Sequence, residues 1–285
     1  MRVYYDCYLC RTKSQVEAID LATDDESIKD DILKKIVPMW GESYSEGPEP
    51  NPNVLNAKAH RMIKKMSGND DPFKQFKEDS ARIADKIISN LNVENHSLEE
   101  LVKLAILGNF LDIIVLGPDF NYLDHIDENS QKGLAINHID KLHEDIKKHS
   151  KVLYLVDNVG EISFDKLLIE KLIDFGLEVT VAGKSAPIGN DATEEDIIDI
   201  GLDKIANTTS IGTDSGGFIY EEASPEFQKF FDESDFIISK GLGNYEGLTE
   251  LDLKGKDVFI LLCSKCRPVS LNLDVTLYDN VLKKL

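Results

Sequence analysis

The sequence of 285 residues lacks an uninterrupted apolar run long enough to cross a bilayer. Its longest apolar stretches, residues 101–116 and 258–263, are either interrupted by polar residues such as Lys103 and Asn109 or too short. The N-terminus, MRVYYDCYLC, also lacks the charged and apolar regions of a signal peptide. We therefore expect no membrane partner and a cytoplasmic location.

Basic residues are scarce relative to acidic ones, with 32 Lys and Arg against 52 Asp and Glu and a formal net charge of −20. A surface of this sign repels phosphate backbones, so we expect no nucleic-acid partner, although a local basic patch could bind a small phosphorylated ligand. The hydrophobic fraction of 42% is enough for a sizeable core. The length allows one large domain or two smaller ones.

Cysteine is rare too, and the four cysteines form two pairs of equal spacing, Cys7 with Cys10 and Cys263 with Cys266. In a cytoplasmic protein such pairs indicate metal or redox sites before structural disulfides. A four-thiolate zinc site is one interpretation, but the pairs lie much farther apart than in a zinc ribbon, so we prefer structural or incidental thiols. Cys7 and Cys10 begin a predicted helix, whose dipole would favour the thiolate form.

The two halves of the chain differ in hydrophobic pattern. Up to about residue 150 no segment alternates as a strand, and the apolar spacing predicts a helical N-terminal domain over residues 1–145. From Lys151, the strand VLYLV, a helix and the strand LEVTVAG form a βαβ unit, which implies a parallel sheet. The predicted fold is α/β, with a doubly wound, mainly parallel sheet in a Rossmann-like domain over residues 146–285.

Polar residues directly follow two of these strands. Asp157 and Asn158 end the first strand, and Asp191 lies in the turn after the second. Because ligands of open α/β sheets bind beyond the carboxyl ends of the strands, we expect these side chains to converge. Their oxygens would suit a hard divalent cation that also binds water and phosphate. Taken alone, Asp157 and Asn158 would favour an ordinary turn and helix cap over a metal site.

Later strand ends carry more polar residues. Lys240, Asn244 and Glu246 follow one strand, and Lys265 follows another. Two lysines beside a carboxylate cluster suit a phosphate monoester. The glycines in this region do not make a dinucleotide fingerprint, because Gly247 comes one position too late.

An apolar helix of the first half also carries polar residues. Its capping-box pattern begins at Ser97, and Asn109 and Asp112 lie three residues apart on one face. Polar groups in such a helix need partners, which either lie within the protein or belong to a site.

Six segments in this order resemble the domain of unknown function 89 family, the metal-dependent damage-control phosphatases. They are the Cys7 and Cys10 pair typical of its archaeal-type branch, GNFLD at Gly108, DNVGEISFD at Asp157, GNDAT at Gly189, KGLGNYE at Lys240 and CSKC at Cys263. The resemblance covers nearly the whole chain. It implies a doubly wound α/β protein with a helical N-terminal domain, which hydrolyses phosphate esters, including sugar phosphates, with a divalent metal such as Mn, Co, Ni or Mg.

The resemblance also implies residue roles. The family's metal ligands correspond to Asp157, Asn158 and Asp191, and its substrate contacts to residues 242–246 and Lys265. As a hypothesis, the metal polarises the phosphoryl oxygens and lowers the pKa of a water that attacks in line. The other roles are assigned as follows: Lys265 and Lys240 hold the phosphate, Asn244 and Glu246 orient the alcohol, and Glu161 hydrogen-bonds a metal-bound water.

One segment departs from the family pattern. The eukaryotic branch has an arginine ahead of its last lysine, whereas Arg267 follows Lys265 here. The substrates of those relatives therefore do not transfer directly, and the expected partner is a small phosphorylated metabolite.

Two other functions fit parts of the sequence. A noncatalytic metabolite-binding or thiol/zinc redox-sensing protein could use the same sheet, with the cysteine pairs as its active feature. A methyltransferase or nucleotide-dependent transferase would also use glycine-rich strand ends, although the position of Gly247 and the acid-rich site count against it.

Overall fold

The computed structural model describes residues 4–46, 52–91, 96–110 and 132–285. The N-terminal part contains α1 (Tyr5–Ala22), α2 (Glu26–Glu46), α3 (Pro52–Ser67), α4 (Lys74–Ile88) and α5 (Leu98–Phe110). The predicted capping box of α5 is confirmed, because Ser97 Oγ accepts a hydrogen bond from the Glu100 amide at 3.3 Å and Glu100 Oε2 accepts one from the Ser97 amide at 2.7 Å. No described helix combines the length and apolar composition needed to cross a membrane.

The later part of the described chain forms a seven-stranded sheet in the order β1-β7-β6-β5-β2-β3-β4. Its strands are β1 (Leu134–Asn137), β2 (Lys151–Leu155), β3 (Glu178–Gly183), β4 (Asn207–Ser210), β5 (Phe236–Lys240), β6 (Asp257–Cys263) and β7 (Asn280–Lys284). Strands β2 to β6 are parallel, whereas β7 is antiparallel to β6 and pairs in parallel with β1. The mainly parallel α/β fold is thus confirmed.

After β1, one α-helix follows each strand along the chain until β7. These helices are α6 (Ile139–Ile146), α7 (Val159–Asp174), α8 (Glu194–Asp199), α9 (Pro225–Glu233), α10 (Gly241–Leu248) and α11 (Arg267–Leu273). The predicted βαβ unit corresponds to β2, α7 and β3, and Gly176 ends α7 with a φ of +93°.

Strand β1 corrects one sequence prediction. We expected no strand before residue 150, yet residues 134–137 pair with β7 at the edge of the sheet. The strand has only four residues, LAIN, whose side chains are half-buried or exposed, so its hydrophobic pattern is weak. The sheet therefore begins within residues 1–145. The division into domains 1–145 and 146–285 stays a prediction.

The core has one layer on each face of the sheet. Along β2, Val152 and Tyr154 join one cluster with α4, α5 and α7, and Leu153 and Leu155 join another with α9, α10 and α11. This alternation is expected of a strand that is buried on both faces. Helices α4 and α5 therefore cover the sheet, although they lie in the part of the chain that we predicted as a separate helical domain.

Helices α1, α2 and α3 form a third core around residues such as Ile19, Ile36 and Ile63. Ion pairs connect this unit to the loop after β4. Arg61 Nε lies 2.7 Å from Asp214 Oδ1, and Lys64 Nζ lies 2.8 Å from Asp214 Oδ2. These contacts hold α3 over the loop after β4, which contains Gly212, Gly216 and Gly217, and place the helical unit of α1, α2 and α3 beside the carboxyl ends of the strands.

Candidate active site

The turns after β2 and β3 are joined by backbone hydrogen bonds. The Ala192 amide donates to the carbonyl of Asp157 at 2.7 Å, and the Val159 amide donates to the carbonyl of Asn190 at 3.0 Å. Asn158 and Asp191 also form an isolated antiparallel bridge. The structure therefore brings Asp157, Asn158 and Asp191 together at the carboxyl ends of two adjacent strands.

These three residues line a cleft of about 450 Å³ between helices α1 and α3 and the edge of the sheet. Other residues singled out in the sequence that border the cleft are Asn109, Glu246, Lys265, Cys7, Cys10 and Cys266. Four more do not border it, namely Glu161, Lys240, Asn244 and Cys263. Asp112 lies outside the described residues.

The carboxylates of the cleft are strongly perturbed. Burial raises the pKa of Asp157 well above its usual value, and the nearby charges of Glu161 and Asp191 raise it further, whereas Lys265 and Lys184 oppose the shift. Burial also raises the pKa of Asp191, and Lys184 opposes that shift. Two buried carboxylates that repel each other form a site that a cation would stabilise.

Lys240 lies behind the cleft and does not reach the position that we predicted for a phosphate contact. It is fully buried, and its Nζ donates to Glu161 Oε2 at 2.6 Å, to Asp165 Oδ1 at 2.6 Å and to the carbonyl of Ala105 at 2.9 Å. Because all three ammonium hydrogens are used, none is available for a phosphate. Lys240 instead supports the residues behind the cleft.

Asn244 likewise binds backbone carbonyls and does not make the predicted contact with the substrate alcohol. It is fully buried, and its Nδ2 donates to the carbonyl of Val156 at 2.9 Å and to that of Lys240 at 2.8 Å. The side chain thus ties the end of β5 to the end of β2, directly before Asp157.

Glu161 also lies behind the cleft. Its Oε1 accepts hydrogen bonds from the Asn158 amide at 2.9 Å and from Asn109 Nδ2 at 2.9 Å, while Oε2 pairs with Lys240. Burial alone would raise the pKa of Glu161, but Lys240 and Asn109 lower it below the usual value. We predicted that Glu161 hydrogen-bonds a metal-bound water. In the structure it instead accepts the Asn158 amide and so stabilises the first turn of α7.

Asn109 connects this buried network to the cleft. Its Nδ2 donates to Asp157 Oδ2 at 3.0 Å as well as to Glu161, so the amide orients the Asp157 carboxylate. Its Oδ1 is buried and has no hydrogen-bond partner among the described residues. An orphaned amide oxygen beside two acidic side chains is consistent with a site that holds further polar groups when it is occupied.

Glycine is required where α10 meets Asp157. Gly241 has a φ of +78°, and a Cβ on this residue would lie 1.8 Å from Asp157 Oδ2. Only glycine permits both the left-handed backbone and this close approach. Gly217 lies on the other side of the cleft, and its amide donates to Asp191 Oδ2 at 3.4 Å.

Lys184, which directly follows β3, is a site residue that we did not predict from the sequence. It is 1% exposed, donates to the carbonyl of Gly217 at 2.6 Å, and lies 3.8 Å from Asp191 Oδ2. Burial lowers its pKa, although Asp191 and Asp157 oppose the shift. Its position at a strand end is the signal that identified Lys240 and Lys265, and it would have identified Lys184 as well.

Residues of the helical unit were also missed. Arg11 of α1 and Asn53, Asn56 and His60 of α3 border the cleft. Arg11 donates to Asn53 Oδ1 at 2.9 Å and lies 3.7 Å from Glu246 Oε2. The spacing of the three α3 residues places them on one helical face, but nothing in the sequence shows that this face meets the sheet.

The four thiols do not form one site. All are free, and no three His, Cys, Asp or Glu side chains within the described ranges are arranged to hold a metal ion, which removes support for a four-thiolate zinc site. Burial raises the pKa of Cys7, contrary to the expected thiolate, and raises the pKa of Cys263 to about 11 and that of Cys266 to about 12. Such thiols are poor nucleophiles at neutral pH.

The donors at the strand ends fit a hard divalent cation better. Two carboxylates and one amide supply oxygen atoms, the ligand type that Mg²⁺ and Mn²⁺ prefer, and the adjoining cleft leaves space for water and substrate oxygens. Asn158 Nδ2 lies 3.4 Å from Asp157 Oδ2, which turns the Asn158 amide oxygen away from that carboxylate. Asp157, Asn158 and Asp191 are therefore the residues that would hold the metal.

Comparison with known proteins identifies the family. A family model described as the damage-control phosphatase ARMT1-like domain matches residues 3–281. The chain belongs to this family. A damage-control phosphatase of Pyrococcus horikoshii is 35% identical over 280 residues, which cover 96% of this chain and 95% of the relative. A damage-control phosphatase of Archaeoglobus fulgidus is 30% identical over 290 residues, with 99% and 94% coverage.

A solved structure of the same Pyrococcus horikoshii protein supports the fold. The crystal structure of a DUF89 family protein from Pyrococcus horikoshii has a TM-score of 0.89 and 34% sequence identity, and the match covers 100% of this chain and 99% of that chain. Both the predicted family and the predicted fold class are thus confirmed.

Proposed function

We propose that this member of the family is a metal-dependent phosphatase that hydrolyses small phosphate monoesters, such as sugar phosphates or damaged phosphometabolites, in the cleft. The observation that carries the proposal is the convergence of Asp157, Asn158 and Asp191, with Lys265, on a cavity large enough for such a molecule. The names of the two relatives point to the same reaction class. The N-terminal Cys7 and Cys10 pair favours the archaeal-type branch.

Mn, Co, Ni and Mg are the candidate metals, and when bound such an ion would supply positive charge for the phosphoryl oxygens and lower the pKa of a water. The chain's own residues provide the rest. Lys265 borders the cleft and is close enough to Asp157 to oppose the shift in its pKa, so it is placed to bind the phosphate. Phosphoryl transfer depends mainly on such positioning and charge neutralisation.

Glu246 and Arg11 lie on the side of the helical unit. Burial raises the pKa of Glu246, and Arg11 and a hydrogen bond from Asn53 oppose that shift. A carboxyl group in this setting can exchange a hydrogen bond with the alcohol of the ester, the role that we assigned to Glu246 from the sequence. Behind Asp157, the contacts of Asn109 and Glu161 keep the carboxylate aimed at the cleft.

A noncatalytic metabolite-binding or thiol-sensing protein remains the alternative, and one observation favours it. Cys7, Cys10 and Cys266 all border the cleft. The raised pKa of Cys7 and Cys266 weighs against thiol reactivity, so we place this function second.

Phosphate release tests the proposal. The protein is stripped with a chelator and assayed with sugar phosphates and an aryl phosphate after addition of Mn, Co, Ni, Mg or no metal. We expect turnover only with metal. A folded protein that releases no phosphate with any of these metals would contradict the phosphatase function and favour the alternative.

A further inference from the structure

We propose that Asn56 is a specificity-determining residue, which donates a hydrogen bond to a hydroxyl or carbonyl oxygen in the organic part of the phosphate ester. The inference rests on the proposed phosphatase function and concerns the wall of the cleft opposite the strand ends. That wall is formed by helix α3.

Three polar side chains of α3 face the cleft. Asn53, Asn56 and His60 lie at positions i, i+3 and i+7 of the helix, are between 1% and 6% exposed, and all line the cavity. A helix that packs only against protein would place apolar residues on such a face. The polar face therefore has a ligand-binding role, or each of its members must be satisfied within the protein.

Asn53 is satisfied within the protein. Its Oδ1 accepts a hydrogen bond from Arg11 at 2.9 Å, and its Nδ2 donates to the carbonyl of Gly243 at 3.1 Å. A further hydrogen bond joins it to Glu246. Asn53 thus fastens α3 to the first turn of α10, and it brings Asn56, one turn further along, next to the cleft.

Two successive hydrogen bonds, from Trp40 to Gln15 and from Gln15 to Asn56, orient the Asn56 amide. Trp40 Nε1 can only donate, and it donates to Gln15 Oε1 at 2.8 Å. This turns Gln15 Nε2 toward Asn56, where it lies 3.5 Å from Oδ1. Both Gln15 and Trp40 are buried, so water does not compete with these contacts.

With Oδ1 facing Gln15, the Nδ2 group of Asn56 faces the other way. No described residue accepts a hydrogen bond from it, and it is not among the fully buried polar atoms without a partner, so it is reached from the cleft. A Cβ on Gly216 would lie 3.5 Å from this nitrogen. The donor therefore stands beside the loop whose next residue, Gly217, contacts Asp191.

The chemistry of this wall indicates the group it recognises. Asn56 offers an uncharged donor, which suits a hydroxyl or carbonyl oxygen of the ester. His60, one turn further along α3, adds a second neutral polar group, because burial and the charges of Arg11 and Lys64 lower its pKa to about 4. A site of neutral donors and acceptors rejects analogues that lack the matching oxygen, since its polar groups would lose their partners.

The test compares two substrates in the same enzyme. Asn56→Ala, Asn56→Leu and the wild type are assayed with saturating manganese on a panel of hexose and pentose phosphates and on an aryl phosphate without hydroxyl groups. Asn56→Leu removes the donors but has the branching of the amide side chain and adds no charge, so it serves if the cavity left in Asn56→Ala impairs folding. Asn69→Ala is the matched control, because it removes an amide that donates to the carbonyl of Ala22 outside the cleft.

We expect the variants to raise KM for the best sugar phosphate by about 5- to 10-fold, the effect of one neutral hydrogen bond, with kcat nearly unchanged. Kinetics on the aryl phosphate, and both substrates in Asn69→Ala, should stay within about twofold of wild type. Trp40→Phe, which removes the donor to Gln15, should raise the same KM by a smaller factor.

Three results would overturn the inference while leaving the phosphatase function intact. They are equal losses on both substrates, no change in KM, and hydrolysis of the aryl phosphate by a wild type that accepts no sugar phosphate. If the wild type hydrolyses nothing with any metal, the proposed function fails, and the inference fails with it.

Discussion

The ammonium of Lys240 lies 2.6 Å from the carboxylate of Glu161, and both side chains are completely buried. The same ammonium lies 2.6 Å from Asp165, which burial and the charge of Glu161 hold at a pKa of about 7 against the opposing effect of Lys240. Tyr154 donates to Asp165 at 2.8 Å. One lysine therefore compensates two acids in the core, directly behind the residues that line the cleft.

Replacing Lys240 with Met should destabilise the protein by about 3–5 kcal/mol, because Glu161 and Asp165 would remain buried without a counter-charge. Urea unfolding at pH 7.5 measures this loss. Lys254→Met is the control, since the Lys254 side chain is 91% exposed and its change should cost less than about 0.5 kcal/mol. A loss of similar size in both variants would contradict the role of the buried ion pair.

Asp157→Asn should abolish phosphate release and, in chelator, increase the free energy of unfolding by about 1 kcal/mol. The pKa of Asp157 is raised by burial, Glu161 and Asp191, so at pH 8 its charge destabilises the metal-free fold, and an isosteric amide removes that charge. Urea unfolding and turnover of the same samples measure both effects. Asp252→Asn, an exposed surface change, should alter neither. Turnover by Asp157→Asn under saturating metal would disprove the assignment.

Lys265→Ala should lower kcat/KM by about 100-fold, because an ammonium that neutralises the phosphate would be lost. Arg267 is the comparison, since it also borders the cleft but is exposed and pairs with Asp6 at 2.9 Å. Arg267→Ala should change kcat/KM by less than about fivefold. Steady-state kinetics with one aryl phosphate measure both losses of kcat/KM. A larger loss in Arg267→Ala than in Lys265→Ala would show that Arg267 binds the phosphate.

His60 should make stability pH-dependent. Its pKa is lowered to about 4 in the folded protein, against about 6.5 when unfolded, so the unfolded chain binds a proton more tightly. The contribution of neutral His60 to the free energy of unfolding is complete above pH 6.5 and is lost as the pH falls toward 4. Between pH 7 and pH 5 the loss should be about 2 kcal/mol.

Urea unfolding of wild type and His60→Gln at both pH values isolates this effect, because other groups titrate in both proteins. The wild type should lose about 2 kcal/mol more than the variant over this interval. An equal loss in the two proteins would show that His60 does not have the depressed pKa.

The sequence predicts the sheet edge well and the opposite wall of the cleft poorly. Strand periodicity and the polar residues at strand ends are local signals, and they led to Asp157, Asn158 and Asp191. The same rule placed Lys240 and Lys265 alike at strand ends, yet only Lys265 borders the cleft. The difference arises because Glu161 and Asp165, in the first and second turns of α7, both pair with Lys240.

The wall formed by α3 depends on long-range contacts that no local pattern encodes. Asn53 meets Gly243 across 190 positions of the chain, and Arg61 meets Asp214 across 153. Strand β1 was missed for a related reason, since its four residues gain their strand conformation from pairing with β7 at the far end of the chain.

Calorimetric titration of manganese into the chelator-stripped protein, with phosphate release measured on the same samples, tests the central claim most directly. The claim is that Asp157, Asn158 and Asp191 form one metal site that performs the hydrolysis. We expect one strong site per chain, phosphate release that rises with its occupancy, and loss of both in Asp157→Asn and Asp191→Asn. Unchanged manganese binding in both variants, or phosphate release by the stripped wild type, would contradict it.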